Sequence, residues 1–186
     1  MARPILRTPR LTVRVMTPDD AADLALRRSD GETAQYQGWP TPYPLERAVA
    51  LIDEMIARGG PSLGGWSQFA CVRIDDGVIV GDIALFLDEA GHNGELGYTL
   101  HPWARGHGYA TEAATAVLDY AFSEWRLHRC EASIDPRNAA SRRVLERLGF
   151  RHEGTMIESY WLGETVTDDA RYAILSREWQ ARRGNA

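Results

Sequence analysis

The sequence predicts an α/β (α+β) domain in which a mixed β-sheet carries helices on both faces. Segments with alternating apolar residues and segments with helical spacing follow one another in the order β-α-α-β-β-β-α-β-α-β-β. The 186 residues, of which 44% are hydrophobic and 25% charged, suffice for one core. The chain contains no internal repeat, low-complexity tract or linker. We therefore expect a single domain over residues 1–186.

The first third of the chain predicts a strand and two helices separated by a long loop. Residues 10–15 alternate as a strand, and Thr17, followed by a proline and two acidic residues, favours a helix start. Residues 45–56 place apolar side chains at helical spacing, before Gly59-Gly60-Pro61. The intervening loop, residues 29–44, contains Tyr36, Trp39 and Tyr43. These rings either fold over the core or line a binding cleft.

The rest of the chain predicts six strands and two helices. Residues 66–74 and 78–87 form a hairpin around Asp75-Asp76-Gly77, and residues 95–100 add a third strand. A helix containing Val117 and Leu118 leads to a strand at 127–134. The last helix begins at the cap Asn138 and ends at Gly149. Residues 150–161 and 165–175 then form a final hairpin.

Residues 101–112, H-P-W-A-R-G-H-G-Y-A-T-E, connect the predicted strand at 95–100 to a helix. Gly106 and Gly108 leave backbone N–H groups unscreened, where a helix N-terminus exposes unpaired donors and the positive end of its dipole. Arg105 adds a positive charge. The stretch therefore predicts a seat for a phosphate group.

Two other phosphate-binding motifs fit this stretch poorly. The P-loop requires Gly-Lys-Ser/Thr, whereas Gly108 is followed by Tyr109 and Ala110. The dinucleotide fingerprint requires a small residue at the position of Thr111 and a strand that opens a βαβ unit, yet about a hundred residues precede this site.

Three blocks of the sequence resemble the GCN5-related N-acetyltransferase (GNAT) family. R-G-H-G-Y-A, from Arg105 to Ala110, resembles the Q/R-x-x-G-x-G/A signature in its shorter R-G-x-G-Y/K-A form. The N-x-x-S and L-x-x-L-G-F patterns between Asn138 and Phe150 resemble the branch of ribosomal-protein N-terminal acetyltransferases, the RimJ/RimL type. Residues 169–179, D-A-R-Y-A-I-L-S-R-E-W, are typical of its closing strand. The resemblance covers residues 11–179 and implies the GNAT fold, a mostly antiparallel sheet splayed between two central parallel strands.

The resemblance implies acetyl-CoA as the co-substrate. Its pantetheine would lie between the strands at 95–100 and 127–134 and would meet backbone groups of the first strand. The glycine turn would hold the pyrophosphate, and Asn138 and Ser141 would contact the pantetheine. Arg142 or Arg143, but not both, would meet the 3′-phosphate or adenine, because adjacent helical residues face differently. The predicted cofactor-binding residues are Tyr98, Thr99, Leu100, Arg105, Gly106, His107, Gly108, Tyr109, Ala110, Thr111, Asn138, Ser141 and Arg143.

Glu95 and Ser141 are the predicted catalytic residues. Glu95 begins the strand that would border the acetyl group, and its carboxylate would remove a proton from the amine directly or through water. Many members of the family protonate the thiolate with a tyrosine seven residues after the asparagine, but that position is Leu145 here. Ser141 is the available replacement as a proton donor. Both residues also have simple structural explanations, a solvated strand end for Glu95 and a polar first helical turn for Ser141.

The predicted function is direct transfer of an acetyl group from acetyl-CoA to a primary amine. The branch resemblance favours protein N-terminal α-amines, and small-molecule amines such as polyamines or antibiotics are the alternative. Because Leu145 replaces the expected tyrosine, a non-catalytic acyl-CoA-binding sensor is a second alternative. The loop at 29–44 and the last hairpin would bind the acceptor, with Tyr36, Trp39, Glu95 and Tyr160 as the predicted contacts.

Composition limits the remaining partners. A net charge of −5 argues against nucleic acid as the main partner and suits a cationic amine, although it also serves solubility. No run approaches the about 20 apolar residues of a membrane span, so a cytoplasmic protein is expected. Cys71 and Cys130 predict buried free thiols, and the scattered histidines predict no metal site. An apolar strand edge near Trp161 allows a monomer or a homodimer.

Overall fold

The structure is a computed structural model that describes residues 4–184, so both ends of the predicted domain lie outside the described residues. The strands are β1 (Ile5–Arg7), β2 (Leu11–Val15), β3 (Gly65–Arg73), β4 (Ile79–Leu87), β5 (Asn93–Leu100), β6 (Arg129–Ile134), β7 (Arg151–Leu162) and β8 (Thr165–Leu175). The helices are α1 (Ala21–Ser29), α2 (Gly31–Ala34), α3 (Leu45–Ala57), α4 (Tyr109–Ser123), α5 (Ala139–Leu148) and α6 (Ser176–Gly184). Short 3-10 turns lie at Pro18–Asp20 and Pro102–Ala104.

The strands form one sheet in the order β1-β2-β3-β4-β5-β6-β8-β7. β5 and β6 run parallel, and the other neighbouring pairs in the described chain are antiparallel. A parallel pair needs a long crossover connection, which α4 provides here. The predicted mixed sheet with two central parallel strands is confirmed.

The parallel pair separates after three residues, which creates a fork in the middle of the sheet. β5 and β6 are paired only from Asn93 opposite Arg129 to Glu95 opposite Glu131. On their outer sides, β5 stays paired with β4 up to Leu100, and β6 stays paired with β8 up to Ile134. The edges of β5 and β6 that face each other beyond Glu95 are therefore without a strand partner.

Successive side chains of a strand point to opposite faces of the sheet, and their contacts show which helices lie on each face. Asp82 of β4 points towards α1, where it accepts a hydrogen bond from Arg27 at 2.8 Å. We call this side, which α3 also covers, the α1 face. Phe69 of β3 points the other way, and its ring centroid lies 6.2 Å from that of Tyr120 in α4. This α4 face also carries α5. Helices on both faces are thus confirmed.

Most predicted elements lie where they were expected, and three additions were not predicted. The loop at 29–44 contains α2, a single turn capped by Asp30, whose Oδ1 accepts a hydrogen bond of 2.8 Å from the Thr33 amide. One turn is too short to produce a helical repeat in the sequence. β1 has three residues, and α6 buries only Trp179, so neither carries an apolar pattern.

The expected helix cap, the two free thiols and the exposed tryptophan are confirmed. Asn138 caps α5 by accepting a hydrogen bond from the Ser141 amide at 3.0 Å, and Gly149 ends the helix with φ +89°. Cys71 and Cys130 are free and buried, and burial raises the pKa of both thiols. Trp161 is 65% exposed on the edge strand β7. Among residues 4–184, the helices are too short or too polar to cross a membrane.

Candidate active site

A cavity of about 860 Å³ occupies the fork and extends across both of its sides. Strands, helices and loops that are distant in sequence all contribute to its wall. Most of the predicted site residues line it, namely Tyr36, Trp39, Glu95, Tyr98, Thr99, Leu100, Arg105, Gly106, Gly108, Ala110, Thr111, Asn138, Ser141, Arg143 and Tyr160.

His107 and Tyr109 do not belong to the cavity wall. Their rings lie 5.9 Å apart, and the Arg10 guanidinium lies 4.6 Å from the Tyr109 ring centroid. Arg10 also donates a hydrogen bond of 3.0 Å to the His107 carbonyl. These two residues can therefore contribute backbone amides, but not side chains, to a ligand in the cavity.

The glycine turn presents a row of backbone amides without acceptors. Gly106 and Gly108 have φ values of +79° and +81°, a conformation that side-chain-bearing residues rarely adopt. Within the described chain, the amides from Gly106 to Thr111 have no hydrogen-bond acceptor. α4 begins directly after Gly108, so the positive end of its dipole lies at the same point. The turn can therefore hold an anion with backbone groups alone.

Glu112 fixes the start of α4 to the first strands. Its Oε1 accepts hydrogen bonds from the Thr8 hydroxyl at 2.6 Å and the Arg10 amide at 2.8 Å, and its Oε2 pairs with the Arg10 guanidinium at 2.6 Å. Burial alone would raise the pKa of Glu112, but these partners outweigh it and lower the pKa. The carboxylate thus holds the turn in place without reaching the cavity. This role of Glu112 had no signal in the sequence.

Arg105 lies at the edge of the cavity but is engaged with α2. Its guanidinium donates hydrogen bonds to Thr33 Oγ1 at 2.7 Å and Glu32 Oε2 at 3.0 Å, and it lies 3.8 Å from Asp30. The guanidinium therefore ties the glycine turn to the loop at 29–44. This link between two parts of the wall had no signal in the sequence.

Tyr98 and Ser141 meet at the fork. Tyr98 points to the α4 face, where its hydroxyl lies 2.7 Å from Ser141 Oγ and 3.0 Å from the Ser141 carbonyl oxygen. Burial raises the pKa of Tyr98 above its usual value, so the phenol stays protonated. Leu145, at the position of the family's tyrosine, is fully buried in the core. A hydroxyl pair from β5 and α5 therefore lies where the expected tyrosine is missing.

Glu95 stands at the last residue pair before the fork opens, opposite Glu131. Its position two residues from Gly97 and opposite Phe86 places it on the α1 face. Burial raises the pKa of Glu95, and the nearby carboxylates of Glu131 and Asp169 raise it further. The Arg171 guanidinium lowers it, but the net shift of the pKa is upward. A carboxylate with a raised pKa beside the fork can accept a proton near neutral pH.

The aromatic residues of the loop divide between core and cavity. Tyr43 is buried in the core, whereas Tyr36 and Trp39 line the cavity, so both expectations for these rings hold in part. Trp39 donates from Nε1 to the Arg28 carbonyl at 3.0 Å. The loop reaches the final hairpin at Gly38, where the Tyr160 hydroxyl leaves no room for a Cβ atom.

Many residues that were not predicted to be functional also line the cavity. Among them are Arg28 on α1, Trp66 and Gln68 on β3, and Arg147 on α5. β3 alternates as an ordinary strand, and Arg28 and Arg147 resemble solvated helical residues. Only the sheet order and the positions of α1 and α5 on its two faces bring these side chains to the cavity.

Comparison with known proteins agrees with this geometry. The family model described as acetyltransferase (GNAT) domain matches residues 10–151. The uncharacterized N-acetyltransferase YoaA of Bacillus subtilis (strain 168) is 30% identical over 173 residues, covering 92% of this chain and 97% of YoaA. YdaF of the same strain, a candidate ribosomal N-acetyltransferase, is 33% identical over 109 residues, covering 58% of this chain and 60% of YdaF.

Solved structures share the architecture. A GNAT-family acetyltransferase from Bacillus anthracis is 28% identical with a TM-score of 0.83, covering 94% of this chain and 100% of that one. Spermidine N-acetyltransferase from Vibrio cholerae, solved with CoA and spermine, has a TM-score of 0.80 at 20% identity, covering 91% and 98%, and supports the fold alone. With the family model spanning most of the sequence, this chain belongs to the GNAT acetyltransferase family.

Proposed function

We propose that this protein transfers an acetyl group from acetyl-CoA directly to the nitrogen of a primary amine. The observation that carries the proposal is the run of unpaired amides from Gly106 to Thr111, which shares one cavity with the fork between β5 and β6. An anion seat beside two free strand edges suits a ligand with a diphosphate and a linear, amide-bearing chain. Coenzyme A has both features.

The chain's own groups fit each part of this ligand. Acetyl-CoA, when bound, supplies an acetyl group activated as a thioester. The amides of the glycine turn would hold its diphosphate, with the Thr111 hydroxyl, which is buried and has no partner in the described chain, as a further donor. The free edge of β5 from Tyr98 to Leu100 would bind the pantetheine.

Asn138 and Arg143 would bind further along the same ligand. Asn138 caps α5 with Oδ1, which leaves its Nδ2 available as a donor to a ligand in the cavity that the residue lines. Arg143 lines the cavity, whereas Arg142 lies 4.0 Å from Glu146 outside it. This difference supports Arg143 as the contact for the 3′-phosphate or adenine edge.

Glu95 would act as the general base. An alkylammonium with a pKa of about 10 must lose a proton before it can attack. The Glu95 carboxylate lies in the cavity on the α1 face, and its raised pKa makes it a better proton acceptor than an exposed carboxylate. It would take this proton directly or through a water molecule and pass it to solvent.

Ser141 would protonate the departing sulfur, and Tyr98 would restore the proton through the 2.7 Å contact between the two hydroxyls. In the overall transfer, a bond forms between the amine nitrogen and the acetyl carbon, and the carbon–sulfur bond breaks. The ammonium gives up two protons to solvent, the first of them through Glu95. One proton returns from solvent to Tyr98, which completes the replacement of the proton that Ser141 gives to the sulfur. The products are the acetamide and the free thiol.

The proposed activity is tested by thiol release from acetyl-CoA with a panel of amines and peptides, with mass spectrometry of the product. Calorimetry with acetyl-CoA provides a separate measure of binding. Acetylated product with any amine supports the proposal and excludes a protein that only senses acyl-CoA. Saturable acetyl-CoA binding without turnover on any acceptor would favour the sensor, and absence of binding would contradict both.

Three observations bear on the class of amine that is the acceptor. The motifs around Asn138 and Phe150 and the similarity to YdaF support a peptide N-terminus. The fold shared with spermidine N-acetyltransferase supports a small amine. The loop that meets Tyr160 at Gly38 narrows the cavity on the acceptor side, which supports a small molecule over a folded protein.

A further inference from the structure

Two buried polar groups of the acceptor side have no partner in the described chain. They are Oε1 of Gln68, a residue that is only 3% exposed, and Nε of Arg28. Both residues line the cavity. A buried polar atom without a partner costs stability, so native proteins usually keep one only where a ligand or water satisfies it. The two groups therefore mark positions at which a ligand or an ordered water binds in the cavity.

Gln68 stands at the end of a shallow trough on the α1 face. It lies opposite Ala84 of β4, which lies opposite Gly97 of β5. Neither neighbour has a large side chain, and a Cβ on Gly97 would lie 3.5 Å from the Ala84 Cβ. Gln68 and Gly97 are two strand spacings apart, a distance of roughly 10 Å. Glu95 lies two residues before Gly97 on the same face, so the trough leads from the proposed base to the Gln68 amide.

Arg28 adds an uncompensated positive charge to this side of the cavity. Its guanidinium lies 4.5 Å from the Trp39 ring centroid and 5.1 Å from that of Tyr43, whose hydroxyl accepts a hydrogen bond of 3.1 Å. Within residues 4–184, no carboxylate lies within 4.0 Å of it. A cation held between rings and facing a cavity favours an anionic ligand.

We propose that Arg28 and Gln68 bind the unreactive end of the acceptor, with Arg28 on a carboxylate and Gln68 Oε1 on a neighbouring N–H. The inference rests on the acetyl transfer proposed above and names its acceptor class, a diamino acid whose distal amine reacts beside Glu95. A polyamine offers Arg28 only repulsion, and a peptide N-terminus places its carbonyl next to the reacting amine. The negative Glu95 and the positive Arg28 would thus orient a dipolar acceptor along the trough.

Lysine and two of its analogues test each contact separately. Cadaverine is lysine without the carboxylate, and 6-aminohexanoate is lysine without the α-amine. For the unmodified enzyme with acetyl-CoA, we expect kcat/KM for acetylation of the distal amine of lysine to exceed that of either analogue by about 10-fold or more. Mass spectrometry of the product assigns which nitrogen is acetylated.

Variants of the two residues complete the test. Arg28→Gln should lower kcat/KM by about 10- to 100-fold for lysine and 6-aminohexanoate, and by less than about 3-fold for cadaverine. Arg28→Lys should retain part of the preference because it keeps the charge. Gln68→Met, which keeps the shape and removes the amide, should slow lysine and cadaverine but not 6-aminohexanoate.

The controls separate this inference from the proposed activity. Acetyl-CoA affinity and circular dichroism should be unchanged in all three variants, and calorimetry of lysine with CoA-saturated protein reports acceptor binding without turnover. Equal losses of kcat/KM for the three amines in Arg28→Gln, or cadaverine as the best substrate, would overturn the proposed binding of the acceptor carboxylate by Arg28. Acetyl transfer itself would remain intact. Turnover of other amines but not lysine would lead to the same conclusion. Absence of thiol release with every acceptor would contradict the proposed acetyl transfer. In that case, unchanged lysine binding in Arg28→Gln would also overturn the proposed role of Arg28 in acceptor binding.

Discussion

The two halves of the cavity are built from different parts of the chain. The half that would hold the cofactor is built mainly from backbone groups, the amides of one continuous turn and the free edge of β5. The side chains of Thr111, Asn138 and Arg143 add to it. The acceptor half consists of side chains from α1, the loop at 29–44, β3, β5 and β7, which are far apart in sequence.

This difference separates what all members of a family share from what distinguishes them. Backbone amides bind any diphosphate and depend only on a local conformation, so the same turn can serve many acceptors. Side chains from separate segments can change one at a time without disturbing that turn. Substrate choice should therefore depend on residues such as Arg28 and Gln68, and cofactor binding on Gly106 and Gly108.

The largest expected effect tests the backbone-built half. Gly108→Glu places a side chain and a negative charge at the amide seat, at a residue with φ +81°, and should abolish saturable acetyl-CoA binding in calorimetry. Gly77→Glu is the matched control, because Gly77 has φ +72° in a turn outside the cavity wall, with open space around it. The control should bind acetyl-CoA normally. Equal affinity of the two variants would contradict the seat.

The next largest effect concerns the buried ion pair that holds α1, a part of the acceptor half, against the sheet. Arg27 is fully buried and donates to Asp82 at 2.8 Å, so Arg27→Met leaves an uncompensated buried carboxylate. The free energy of unfolding should fall by about 3 kcal/mol, measured by urea denaturation. In Arg142→Met, which removes an exposed pair with Glu146 at 4.0 Å, the loss should stay below about 0.5 kcal/mol. Similar losses in both variants would show that the buried pair does not support α1.

Glu95→Gln tests the chemistry between the two halves. It should lower kcat by about 100-fold and leave acetyl-CoA affinity within about 2-fold, because the carboxylate would act on the amine and not on the cofactor. In the unmodified enzyme, kcat should fall as the pH drops through the raised pKa of Glu95. A variant with unchanged kcat at every pH would exclude Glu95 as the base.

The same substitution has a predicted effect on stability with a defined sign. Because the folded-state pKa of Glu95 is raised, the carboxyl is protonated in both states at low pH and carries its full burial penalty above the folded-state pKa. Glu95→Gln should therefore raise the melting temperature at neutral pH. The gain should disappear as the pH falls through the raised pKa towards the usual value. A loss of stability at neutral pH would contradict this assignment.

The smallest effect concerns Asn138, which serves both the fold and the cofactor. Asn138→Ala removes the cap of α5 and should lower the free energy of unfolding by about 1 kcal/mol. It should also weaken acetyl-CoA binding several-fold. Asn138→Asp keeps the accepting oxygen and loses the Nδ2 donor, so stability should recover while affinity stays reduced. Full recovery of both would limit Asn138 to capping.

The contrast between the halves also decides what the sequence could predict. The glycine turn and the Asn138 cap are local patterns, and the structure contains them where the sequence predicts them. The parallel pairing of β5 and β6 joins distant segments and was expected from the family resemblance alone. Gln68 is an ordinary residue of an alternating strand, and its environment arises from the order of β3, β4 and β5. The tie of Arg105 to α2 likewise depends on tertiary packing.

The central claim is that the amides between Gly106 and Thr111 bind the diphosphate and so direct the thioester into the fork. A crystal structure of the complex with CoA tests it most directly. The account predicts diphosphate oxygens within about 3.2 Å of these amide nitrogens and the sulfur beside Ser141. Phosphates bound elsewhere on the protein, with the amides of the turn left to solvent, would contradict it.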